Sequence, residues 1–178
     1  LYGQGPVVHN ELINRHALTS AGAAARQRLA EALYERTHDP DLGFRGSKNP
    51  PERSLYLSVL KLGRVHRERD GVFVIDLPEL GDDPLRLRPA LEKIRDHIRG
   101  SDGRVSVTDI YRGISGRPYG VRAALAPLLL AIILVADRHR MALFERGTYC
   151  PKLDAQAFMR ILKSPENFSI QWVALEGV

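Results

Sequence analysis

Residues 117–140 read RPYGVRAALAPLLLAIILVADRHR, and from 123 to 136 no side chain is charged or hydrogen-bonding. A bilayer span needs roughly 18 to 20 such residues, so this run is too short to cross comfortably. A helix apolar on every side has to be surrounded by protein. The run therefore predicts the central helix of a packed core. Pro127 lies inside it and is expected to kink it, at about 3 kcal/mol for a proline in a helix interior. Burial of each large aliphatic side chain returns about 1.5–3 kcal/mol and outweighs that cost.

The rest of the chain arranges around this helix. Residues 1–18 hold an early Gly/Pro loop and a short amphipathic helix marked by Val8, Leu12, Ile13 and Leu18. Thr19 and Ser20 are cap residues for an alanine-rich helix that ends near His38-Asp39-Pro40. A loop over 42–51 follows, and Pro51 suits the first turn of the next helix. That helix should bury Leu55, Val59, Leu60 and Leu62, and Gly63 stops it. The period then changes to strands over 65–69 and 72–76, joined by Asp70-Gly71, the signature of a two-residue hairpin. Residues 77–89 read as a linker.

A second unit repeats this element order. It has an amphipathic helix over 90–100, a turn at SDGRVS (101–106), a helix capped by Ser106, and a sharp GRPYG turn into the apolar run. A hairpin turning at Arg146-Gly147 follows, then a helix capped by Asp154. Residues 168–175 alternate as an edge or third strand. The expectation is an α+β, mainly helical chain of tandem winged-helix-like units with short β-hairpin wings, over 1–80 and 81–178.

Catalytic signatures are missing. Gly43-Phe44-Arg45-Gly46-Ser47-Lys48 lacks the G-x-x-x-x-G-K-[ST] spacing of a phosphate-binding loop. His9, Glu11 and His16 do not have the i, i+4 histidine spacing that places two imidazoles on one helix face. Asp82-Asp83 reads as a linker turn rather than a paired-carboxylate site, and His66, His97 and His139 are scattered. The one cysteine, Cys150, excludes an internal disulfide and any multi-thiolate zinc site. No cofactor and no metal are expected. The lone thiol, with no signal-peptide pattern, fits a cytoplasmic protein. Because the chain opens on Leu1, it reads as part of something longer.

Charge is the stronger functional signal. The net charge is +5 and owes far more to Arg than to Lys, and Arg suits phosphate geometry. Arg45, Lys48, Arg53, Lys61, Arg64, His66, Arg67 and Arg69 cluster around the first hairpin and the helix before it. In a winged helix those are the surfaces that meet double-stranded DNA. Arg53, Lys61, Arg64, Arg67 and Arg69 are the candidate phosphate contacts, with Glu52, Glu68 and Asp70 interleaved among them. In the second unit the recognition-helix slot holds the apolar run, which leaves only Arg117, Arg122, Arg138 and Arg140 at its ends able to reach a phosphate. That half reads as a packing or protein-contact module.

Residues 116–171, from GRPYG through ALFERGTYCPKL to SPENFSIQ, resemble a segment in the later part of very large bacterial P-loop ATPases of the BREX phage-defence kind. NELINRHALTSAGAAARQRLAEAL and PPERSLYLSVLKLGRVHR resemble the segment that precedes it. The resemblance carries over no catalytic residue, since the nucleotide-binding motifs would lie upstream. It implies a non-catalytic part of a larger cytoplasmic ATPase that engages DNA, the upstream ATPase domain or partner defence proteins. The alternative is a pure protein–protein scaffold with no nucleic-acid binding.

Overall fold

The computed structural model describes residues 3–15, 17–46 and 48–174. Over these the chain is α+β and mainly helical, with two small antiparallel sheets. Helix α1 (Glu11–Asn14) is opened by Asn10, whose Oδ1 accepts the Leu12 amide at 2.9 Å. Helix α2 (Ser20–Glu35) is capped by Thr19, whose hydroxyl accepts the Gly22 amide at 3.1 Å. Helix α3 (Pro51–Leu55) opens on its proline and continues as a π-helical turn over Tyr56–Lys61. There the Leu62 amide donates to the Leu57 carbonyl and the Val65 amide to that of Leu60, both five residues back. The wider turn rotates the side chains that follow it. Tyr56, Val59 and Leu60 are buried, whereas Leu62, read as inward, is 51% exposed.

Strands β1 (His66–Arg69) and β2 (Val72–Ile75) pair antiparallel, with His66 opposite Ile75 and Arg69 opposite Val72. Asp70 (φ 52°) and Gly71 (φ 79°) both take the left-handed conformation that this tight turn needs. The supposed linker is packed, since Leu77, Leu85 and Leu87 are buried. Asp83 in it is a cap, its two oxygens accepting the Leu87 and Arg88 amides at 2.9 Å. Those bonds launch helix α4 (Arg88–Arg99).

Residues 105–106, expected within a turn, form a short strand β3 (Val105–Ser106) before helix α5 (Val107–Ser115). The apolar run yields helix α6 (Ala126–Ala136), shorter than the run itself. Pro127 is in its first turn, where an amide has no intrahelical partner to lose. The proline therefore starts the helix, and the kink expected from it does not form. Every residue of α6 from 126 to 135 is buried, and the helix packs on α2, α4, α5 and β2.

Strands β4 (Met141–Glu145) and β5 (Thr148–Cys150) form the second hairpin and turn through Arg146 and Gly147, both at positive φ. Helix α7 (Ala155–Lys163) is capped by Asp154. Strand β6 (Phe168–Trp172) lies inside the four-stranded sheet, whose order is β3-β6-β4-β5, so it is not an edge. One continuous core runs from Val8 to Ile170 and is shared by both halves. No described helix is long and apolar enough to cross a membrane.

Candidate nucleic-acid interface

Burial falls off along β1 from His66 to Arg69 and decides which of the clustered cations reach solvent. His66 points inward and is 3% exposed, so it leaves the basic surface where the sequence placed it. Its Nε2 donates to the Thr37 carbonyl at 2.8 Å, which leaves Nδ1 as the acceptor facing the Tyr56 hydroxyl at 2.9 Å. That hydroxyl is also 3.3 Å from Asp41 Oδ1, and its one proton serves the nearer imidazole. Burial holds the His66 pKa below the ordinary imidazole value, consistent with a neutral ring. The group is a satisfied structural network that ties Thr37 and Asp41 to the π turn and to β1.

The five candidate phosphate contacts run from α3 through the π turn to the hairpin, and carboxylates meet most of them. Lys61 Nζ donates to Asp41 Oδ1 at 2.9 Å, a bond that pulls the Asp41 pKa below its usual value. Arg53 adds to the same field at Asp41. Arg64 stands 3.5 Å from Asp82. Arg67 donates to the Arg64 carbonyl at 2.6 Å and lies 3.9 Å from Glu79, which is also 3.8 Å from Arg69. Arg69 further pairs with Asp76 at 3.4 Å. The structure thus brings Arg64, Arg67 and Arg69 together, with Lys61 beside Asp41 and Arg53 two turns earlier on α3. Acids from 41 and from 76–82 largely offset their charge.

The surplus of positive charge lies next door. A cleft of about 500 Å³ opens between the first hairpin and the second half, and Arg69, Arg95, Arg99, Arg140, Asp76, Asp137 and Trp172 line its polar wall. Arg95 forms a two-bonded pair with Asp137, at 2.7 and 3.0 Å, and reaches to 3.6 Å from Asp76. The two aspartates are therefore taken up by Arg95 and Arg69. Arg99 and Arg140 have no carboxylate partner among the described residues. Both instead flank the indole of Trp172, each guanidinium carbon 5.9 Å from the ring centroid. By contrast, a cleft of about 440 Å³ between β5 and α7 sets Lys152 and Arg160 against Glu145 and Asp154, and its charges cancel.

Sequence reasoning reached Arg140 as a helix-end cation but missed Arg95, Arg99 and Trp172. The spacing of Arg95 and Arg99, i and i+4 beside the buried Leu91, Ile94 and Ile98, carries a readable signal, because it sets both arginines on one face of α4. Nothing local marks Trp172, which reaches the cleft only through sheet pairing opposite Met141.

Other candidates are less organised. His9 and Glu11 lie near α1, while His16 and Ser47 fall outside the described residues. Cys150 is half-buried on β5, its thiol no nearer a polar partner than 3.9 Å from the Thr148 carbonyl. Among the described residues no group of three His, Cys, Asp or Glu is placed to hold a metal ion. No family model, no curated protein and no solved structure matches the chain.

Proposed function

We propose that the chain is a non-catalytic module of a larger P-loop ATPase of the phage-defence kind, and that it contacts the DNA backbone while helping to hold that assembly together. The observation that carries this reading is the cleft between the halves, where Arg99 and Arg140 have no carboxylate partner among the described residues and Arg69 joins them from the hairpin. Two winged-helix-like units, 1–80 and 81–178, fit the element order. In the second, α4, β3, α5, α6 and the β4–β5 hairpin follow one another as helix, strand, helix, helix and wing. Within it α6 is a packing element, because a helix buried all round cannot enter a groove.

The DNA contact moves accordingly. Lys61, Arg64 and Arg67 supply a weaker outer surface, since each must part from an acid to meet a phosphate. Arg99 and Arg140 supply the main one, and Arg69 joins them once it parts from Asp76 and Glu79. Three phosphate contacts give a duplex affinity that falls about 40-fold between 50 and 200 mM salt. Gel shift with duplex DNA at these two concentrations tests the reading. No complex at 50 mM salt, or one that Arg69→Ala leaves unchanged, refutes it.

The pairing of Lys61, Arg64, Arg67 and Arg69 with carboxylates favours a second reading, a protein–protein scaffold for the upstream ATPase domain or a partner protein. Leu80, 83% exposed beside the Glu79 and Asp82 pairs, gives such a surface an apolar contact. Under that reading Leu80→Asp weakens association with the ATPase core in co-purification, and DNA is ignored at every salt concentration.

A further inference from the structure

Trp172 is the single tryptophan of the chain. It occupies the last position of β6, where the strand leaves the sheet, and is only half-buried on the cleft wall. Another aromatic ring of the same sheet shows what a closed arrangement looks like. Arg104 lies 3.6 Å from the Phe144 centroid and is tied to the Gly147 carbonyl at 3.1 Å, so a cation covers that ring. At Trp172 the two guanidiniums stand over the ring at 5.9 Å, the outer reach of a cation–π contact, so neither packs against it as closely as Arg104 packs against Phe144. Two arginines that pair with no acid among the described residues thus stand around one half-buried indole, and Arg69 lines the same cleft from the opposite half.

Aromatic faces combined with a cationic groove are how proteins hold single-stranded nucleic acid, since every base has a face to stack and every linkage carries a charge. We infer that this cleft binds an unpaired stretch of a nucleic-acid strand, with one base stacked on Trp172 and the flanking phosphates held by Arg99 and Arg140. The inference rests on the nucleic-acid reading above and narrows its ligand. A duplex does not fit the role, because its bases already stack on one another and keep their faces from an indole recessed in a cleft. Arg95 is a positioning residue here. Its bonds to Asp137 and its approach to Asp76 hold the hairpin, α4 and the end of α6 at the width the strand enters.

The sole tryptophan makes the test direct. The whole chain is titrated with a thymidine oligonucleotide and, separately, with a duplex of equal length, following tryptophan emission and the anisotropy of a labelled strand. Stacking quenches the emission with the single strand and leaves it unchanged with the duplex. Trp172→Ala weakens single-strand binding by about 5- to 150-fold, and Trp172→Phe, which keeps an aromatic face in the sheet, loses less. Arg99→Gln with Arg140→Gln, at exposed positions that leave the core untouched, lowers the steepness of log affinity against log salt by about 1.4. Binding of the strand without quenching overturns the inference, as does an unchanged salt slope in the double variant. If the duplex binds with the expected salt dependence while the oligonucleotide does not, the inference fails and DNA contact stands. If neither binds, both fall.

Discussion

Removing one side of the Arg95–Asp137 pair should have an unequal effect depending on which side is removed. The two side chains are 24% and 14% exposed and joined by bonds of 2.7 and 3.0 Å. That places the pair between exposed ion pairs, worth about 0–1 kcal/mol, and buried ones, whose disruption costs about 3–5 kcal/mol. In Asp137→Ala, Arg95 keeps Asp76 at 3.6 Å and stays partly compensated, so the expected cost is about 1–2 kcal/mol. In Arg95→Ala, Asp137 is left without a cation at a mostly buried position and Asp76 loses a neighbour, so the cost rises to about 2–3 kcal/mol. For a chain of this length that corresponds to a Tm lower by about 4–12 °C. Urea unfolding of the two single variants and the double variant gives the coupling directly, expected at about 1–2 kcal/mol. A coupling below about 0.5 kcal/mol, or Asp137→Ala costing more than Arg95→Ala, refutes the account of Arg95 as the clasp of the cleft.

Two further outcomes follow from the core. A Cβ on Gly63 would stand 2.2 Å from the Val59 carbonyl oxygen and 2.5 Å from Leu87 Cδ1, so Gly63→Ala should cost about 1–3 kcal/mol or more, and an unchanged thermal midpoint would contradict that packing. His66 has a folded-state pKa below its unfolded value near about 6.5, so the unfolded chain binds the proton more readily and stability falls as pH drops through that value. Urea midpoints from pH 7.5 down to 5.5 should decline in the wild type and flatten in His66→Gln, and equal slopes would show that the ring is not held neutral.

Much of the fold could be read because single residue types mark it. Thr19, Ser106 and Asp154 each accept an amide at a helix start, and Asp70-Gly71 and Arg146-Gly147 take the positive φ angles of hairpin turns. The misread features have no such marker. Helix α6 begins at a residue with no side-chain cap, so its start was not visible and Pro127 passed for an interior proline. The π turn after Leu55 adds a residue to one turn without any change of composition, which turns Leu62 outward. The place of β6 between β3 and β4 depends on partners 23 to 65 residues away in sequence, as the pairs Glu145–Phe168 and Val105–Ile170 show.

The same reasoning explains why the cationic cluster visible in sequence is not the most positive surface. Local counting sees Lys61, Arg64, Arg67 and Arg69 as neighbours, with only Glu68 between them and Asp70 just after. It does not see that the chain returns Asp41, Asp76, Glu79 and Asp82 to the same face. Arg99 and Arg140 look isolated along the chain and become neighbours only because α4 and β6 pack together. The apolar run contributes to this without touching a ligand. Buried all round, α6 fixes the position of its own last turn, and the residues just beyond it deliver Asp137 to Arg95 and Arg140 to the rim of Trp172. Arg140 also sits past the negative end of that helix, where a cation is favoured before any anion arrives. A substitution that loosens α6, such as Leu129→Ala, should therefore cost about 2–5 kcal/mol in stability and also weaken binding in the cleft, although Leu129 itself is wholly buried.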